Sequence, residues 1–244
     1  NLATTAGKVV FRNELFELLA YEARTGAIHP EPILIVPAWI MKYYILDLSE
    51  HNSLIRYLTD QGFTVFAMSW KNPSADGRNV SLEDYRKNGF ETALDVVSNL
   101  IPDSPIHATG YCLGGTLLGI GTASLAKRQD SRLGSLTFLA SQFDFEDAGE
   151  LTLFISESQI AFLEDIMADQ GYLHADQMAG AFQMLRSNDL IWSRVIRHYL
   201  LGERTGMNDL MAWNADSTRM PATMHSEYLR SLFLNNDLAE HRYV

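Results

Sequence analysis

The chain has 244 residues, with 30 acidic against 19 basic side chains and a formal net charge of −11. That length buries a substantial core as one domain, or as one domain with an insertion, and 47% hydrophobic with 20% charged residues excludes fibrous and low-complexity classes. So negative a balance argues against a nucleic-acid partner, which needs a concentrated basic face, and against electrostatic attachment to an anionic membrane. The longest apolar run, Ile33 to Met41, is broken by Pro37 and is too short to span a bilayer. Asn1-Leu2-Ala3-Thr4 shows no signal-peptide pattern, although a first residue other than Met leaves a removed segment open. A single cysteine forms no internal disulfide and suits a reducing, cytoplasmic setting.

In chain order, short apolar runs alternate with helical patterns, which predicts a mostly parallel sheet with crossover helices. Val9 to Arg12 and Leu15 to Tyr21 read as opening strands compatible with a hairpin. Ile33 to Val36 reads as a strand buried on both faces. Leu54, Ile55 and Leu58 give a helical face closed by Gly62, and a strand is predicted at Phe63 to Met68. Ser81 and Asp84 have the spacing of a capping box, opening a helix that runs through Tyr85, Val97 and Leu100 to Pro102. Ile106 to Thr109 is the next strand, followed by a helix of small and apolar residues and a strand at Ser135 to Ala140. From about Asp147 no further β-rich run is visible. Helices are predicted from Phe154 to Met167, ended by Gly171, and over Ala175 to Leu185, Asp189 to Leu201 and Pro221 to Leu234. We read 1–146 as an α/β core and 147–244 as a helical cap.

Gly110-x-Cys112-x-Gly114 follows a predicted strand and opens a predicted helix. This is the form of a nucleophile elbow with cysteine in place of serine. The reactive residue sits on a strained turn, so its neighbours must lack bulk. The following helix aims its N-terminus at the sulfur, which favours a thiolate, and the Leu113 N–H is placed to bind a developing oxyanion. The second oxyanion donor in such a site is a backbone N–H of the loop after the third core strand, here Pro37 to Tyr44.

Four segments carry a wider resemblance: Tyr43-Tyr44-Ile45-Leu46-Asp47-Leu48, Gly110-Tyr111-Cys112-Leu113-Gly114-Gly115, Arg186-Ser187-Asn188-Asp189-Leu190-Ile191-Trp192, and Trp213 through Pro221. In order and spacing they resemble the signature boxes of polyhydroxyalkanoate synthases of the single-polypeptide type. The resemblance implies an α/β-hydrolase fold with a helical cap, and an acyltransferase that polymerises (R)-3-hydroxyacyl-CoA through a thioester on Cys112. It implies oxyanion donors at Leu113 and Ile40, with Met41 standing where the family pattern has Asn. Arg186 is a candidate contact for the coenzyme A end. No metal and no separate cofactor are implied, since the coenzyme A thioester is the substrate. The expected setting is a cytoplasmic homodimer at the surface of a polyester granule.

In this fold the acid and histidine of the triad follow the nucleophile, beyond the cap. None of His29, His51, His107, His174, His198, His225 and His241 lies in such a setting. The expectation is a chain cut before those partners and inactive by itself. Two other readings stand beside the synthase: a cysteine-dependent hydrolase such as a thioesterase or dienelactone hydrolase, and a non-catalytic, granule-associated synthase-like protein. Seven of the nine methionines (Met167, Met178, Met184, Met207, Met211, Met220 and Met224) fall in the predicted cap, as packing between helices or as an adaptable apolar surface.

Overall fold

Ile33, Leu34, Ile35 and Val36 have no polar neighbour among them, and all four are buried in a strand. In the computed structural model, which describes residues 2–174, 196–202, 208–216 and 218–244, that strand lies inside a six-stranded sheet. The elements in chain order are β1 (Lys8–Arg12), β2 (Phe16–Tyr21), β3 (Ile33–Val36), a small hairpin of β4 (Asp47–Ser49) and β5 (Asn52–Ser53), α1 (Leu54–Asp60) and β6 (Val65–Trp70). There follow α2 (Leu82–Asp84), π-helical turns over Tyr85–Glu91, α3 (Thr92–Leu100), β7 (Ile106–Tyr111), α4 (Leu113–Lys127) and β8 (Leu133–Leu139). After them come α5 (Glu157–Gln170), α6 (Asp209–Ala215) and α7 (Ala222–Glu227), the last running into π-helical turns over Tyr228–Leu234.

The sheet order is β1-β2-β6-β3-β7-β8. β1 and β2 form the antiparallel hairpin, β2 meets β6 antiparallel, and β6, β3, β7 and β8 are parallel. Side chains alternate between two cores, as a period of two requires. Leu34, Val36, Phe66, Met68 and Leu18 enter the larger core with α3 and α4 residues, while Ile33, Ile35, Val65 and Ala67 pack with Ile55 of α1 on the other face.

Several expected boundaries move, each for a local reason. The strand predicted at Phe63 runs Val65–Trp70. Phe63 is spent closing α1, its N–H bonding the Leu58 carbonyl (3.1 Å) while Gly62, at φ +93°, bonds Thr59 (3.1 Å), a Schellman closure. Ala140, at φ +51°, ends β8 one residue early. The helix predicted from Phe154 begins at Glu157, because the Ser156 hydroxyl accepts from the Gln159 N–H, and it ends at Gly171 in the left-handed region. The Ser81–Asp84 capping box is present in full.

The helix it opens is one continuous rod with a widened middle. There Gly89 lies against the Trp70 ring, and Arg86, 8% exposed, bonds Glu83 (2.7 Å), Ser124 (2.9 Å) and Glu91.

The main apolar core does not stop at residue 146. Met220, Met224, Tyr228 and Leu232 join it, with Leu238, Tyr243 and Val244 packed on its margin. Met167 is also buried, so three of the seven late methionines are packing residues. Met178, Met184 and Met207 lie outside the described residues, as do the expected helix at Ala175 to Leu185 and most of that at Asp189 to Leu201. Among the described residues no helix is long and apolar enough to cross a membrane.

Candidate active site

Strand order decides where the working loops meet. From β3 the chain steps to β6 on one side, whereas β7 lies on the other side of β3 with β8 beyond it. The order therefore reverses between β3 and β7, and loops leaving their carboxyl ends diverge to leave a crevice. Val36 pairs with Gly110, so the loop from Pro37 and the turn at Cys112 start side by side.

Cys112 holds φ +53° and ψ −125° between the end of β7 and the start of α4, a conformation that non-glycine residues rarely adopt. Its N–H donates to the Leu139 carbonyl (2.9 Å), and its own carbonyl accepts from Gly115 (2.9 Å) and Thr116 (3.3 Å). The glycines are required by contact: a Cβ on Gly110 would meet the Gly115 Cα at 2.3 Å.

The half-buried Cys112 thiol feels two opposed influences. Burial pushes it up, and this is the larger; the Leu113 N–H, bonded to the sulfur, pulls it down. Helix α4 thus assists the thiolate, as its position in the sequence leads one to expect, but desolvation outweighs it. Among the described residues no imidazole or carboxylate shifts the thiol.

Ile40 and Leu113 are both partly buried and pack on the margin of the same core. Beside Ile40, the buried Trp39 ring meets Tyr228 edge-on at 6.1 Å. The Tyr111 and Tyr228 phenols are raised first by burial and then by the charge of a Cys112 thiolate, which places both near the sulfur. Sequence reading missed Tyr228, an aromatic at ordinary helical spacing that nothing local ties to Cys112.

The histidines are scattered. His29 stacks on Phe63 (4.2 Å) before β3. His107 bonds Ser135 (2.8 Å) near the start of β7, roughly 16 Å of extended strand from Cys112. His51 is in the β4–β5 turn, His174 lies 5.5 Å from the Tyr172 ring, His225 is buried on α7, and His241 is near the C-terminal residues. The side chain of His198, and Arg186 entirely, lie outside the described residues. Among the described residues no group of three or more His, Cys, Asp or Glu could hold a metal ion.

Two family models match the chain: one described as alpha/beta hydrolase fold over residues 31–237, and one described as the N-terminus of poly-beta-hydroxybutyrate polymerase (PhaC) over residues 1–58. A poly(3-hydroxyalkanoate) polymerase of Methylorubrum extorquens is 47% identical over 244 residues, 100% of this chain and 40% of that protein. The poly(3-hydroxyalkanoate) polymerase subunit PhaC of Cupriavidus necator is 38% identical over 243 residues, 98% of this chain and 41% of that one. The chain thus spans about 40% of the length of these relatives. Among solved structures, a monoglyceride lipase variant of Saccharomyces cerevisiae is similar at a TM-score of 0.45 and 12% identity, over 71% of this chain and 55% of that one, too distant to bear on the chemistry.

Proposed function

The chain belongs to the alpha/beta hydrolase fold family, and from that premise we propose that it carries the nucleophile of an acyltransferase that polymerises (R)-3-hydroxyacyl-CoA into polyhydroxyalkanoate. The observation that carries this reading is Cys112 in strained backbone at the head of α4, with the Leu113 N–H on its sulfur. The similarity to named poly(3-hydroxyalkanoate) polymerases along the whole chain supports the substrate class.

On this reading the Cys112 thiolate attacks the thioester carbonyl. A carbon–sulfur bond forms, the electron pair moves onto oxygen, and the Leu113 and Ile40 N–H groups stabilise that oxyanion. Collapse of the intermediate breaks the bond to coenzyme A, which leaves as its thiolate. One thioester has become another, so the acyl group stays activated for attack by the hydroxyl of the next monomer. A serine ester would forfeit that activation. The raised thiol calls for a base, and the described residues do not supply one at Cys112. The protein acts in the cytoplasm at a polyester granule, as a homodimer.

The test is intact-mass measurement of the chain incubated with (R)-3-hydroxybutyryl-CoA at a pH above the ionisation of the Cys112 thiol, where a single acylation needs no base. A mass gain of one acyl group, lost in Cys112→Ala, supports the reading. Turnover to free hydroxy acid with no acyl-enzyme or lengthening product would assign a hydrolase instead, and no reaction at Cys112 would leave a non-catalytic protein.

A further inference from the structure

The box from Trp213 to Pro221 has no part in the chemistry above, yet it grips the loop that faces Cys112. Thr218, 1% exposed, donates its N–H to the Ile40 carbonyl (2.9 Å) and its hydroxyl to the Trp39 carbonyl. Trp213 donates its indole N–H to the Lys42 carbonyl (2.8 Å), and the Tyr44 hydroxyl bonds the Asp216 carboxylate. A short stretch around the end of α6 thus holds the loop at Trp39, Ile40, Lys42 and Tyr44, each bond joining residues 171 to 179 apart in the sequence.

Each carbonyl is half of a peptide plane. In a trans peptide the C=O and the next N–H point opposite ways, and no cis bond occurs among the described residues. Holding the Trp39 carbonyl on the Thr218 hydroxyl therefore sets the Ile40 N–H on the far side of that plane, where it has no acceptor among the described residues. Holding the Ile40 carbonyl fixes the following peptide plane as well, so the Ile40 N–H lies between two anchored planes. Stabilisation of an oxyanion depends on donors fixed before the charge appears, and a displacement near 1 Å forfeits on the order of 100-fold in rate.

We propose that Thr218 is a positioning residue, braced by Trp213 and Asp216, which aims the Ile40 N–H at the acyl oxygen during attack by Cys112. The inference rests on the acyl-transfer reading of Cys112 and goes beyond it by giving this box a task.

Two reactions of the same thiol separate the roles. Acylation by (R)-3-hydroxybutyryl-CoA passes through an oxyanion. Alkylation by iodoacetamide forms a carbon–sulfur bond and expels iodide without one, so it reports only the thiolate and its exposure. In the 244-residue chain, Thr218→Val should slow acylation roughly 10- to 100-fold and leave alkylation unchanged, and Thr218→Ser, keeping the hydroxyl, should restore acylation. Trp213→Phe and Tyr44→Phe each delete one bond with little change of shape, and should slow acylation alone, by less. They carry the test if the valine variant does not fold. Equal slowing of both reactions, or no slowing of acylation in any variant, would overturn the positioning role. A wild-type chain that is alkylated but never acylated at a pH where the Cys112 thiolate is already formed would overturn the acyl-transfer reading, and the inference with it.

Discussion

A Cβ on Gly114 would stand 2.2 Å from the Val36 carbonyl oxygen, so the first turn of α4 and the end of β3 touch backbone to backbone. Neither side can yield by turning a side chain. Gly114→Ala must push the elbow away from the β3 loop, at a cost of about 1–3 kcal/mol or more for overpacking. It should lower the melting temperature by several degrees and weaken acylation of Cys112 further than the lost stability explains. Gly26 is the control, with nothing within 4 Å of its would-be Cβ, and Gly26→Ala should leave both measurements nearly unchanged. Equal effects at the two positions would show that the contact does not matter.

The balance at Cys112 predicts a pH dependence. Burial disfavours the thiolate more than the Leu113 N–H favours it, so the thiol ionises above the ordinary range. Its alkylation rate should rise with pH and reach half its maximum at a higher pH than a free cysteine in a peptide, near 8.5. Rates across pH 6 to 11, read by mass, decide the point. A half-maximum below that of the free cysteine would mean that the helix terminus dominates after all.

What could be read in the sequence depended on the range of the interactions. The Ser81–Asp84 box, the elbow glycines and the Ile33–Val36 strand were legible because neighbouring residues carry their whole cause. The start of β6 was misplaced because Phe63 looks like a strand residue and serves as a helix closure. The grip of Thr218 on Trp39 crosses 179 residues and involves carbonyls, which have no letter in a sequence. The Trp213–Pro221 segment was recognisable as a box without its partners. Its continuation through α7 was read as cap, because an apolar helical stripe does not say which core it enters, and Met224 and Leu232 enter that of the sheet.

His225 should make the protein sensitive to mild acid. It is 5% exposed, its Nδ1 has no hydrogen-bond partner among the described residues, and burial lowers it from 6.5 to about 4. The unfolded chain takes up a proton at higher pH than the folded one does, so stability is full above about 6.5 and declines as the pH falls towards 4. The whole effect is on the order of 3 kcal/mol. Urea midpoints measured from pH 7.5 to 4 should fall in the wild type and stay flatter in His225→Leu. Glu83, lowered to about 2 by Arg86 and Lys87, acts in a separate window, from about 4.5 downward. A fall in the leucine variant as steep as in the wild type between pH 6.5 and 5 would remove His225 as the cause.

The last prediction concerns β8. It pairs with β7 on one side and, among the described residues, is the edge of the sheet on the other. Its middle residues are exposed, with Leu136 at 37% and Phe138 at 39%. An edge of unpaired N–H and C=O groups carrying apolar side chains is a template for another strand. Here it has neither a charged residue nor a proline between Leu133 and Leu139 to blunt it. A second copy presents the same edge, and two such edges can pair about a twofold axis. The 244-residue chain should therefore self-associate, and Leu136→Lys with Phe138→Lys should shift it towards monomer, at a cost in stability of about 1–2 kcal/mol because Phe138 also meets the Phe143 ring edge-on at 4.9 Å. Sedimentation velocity over a hundredfold range of concentration reads both states. A wild-type chain that stays monomeric at the top of that range, or a double variant that associates as strongly as the wild type, would place the contact elsewhere than on β8.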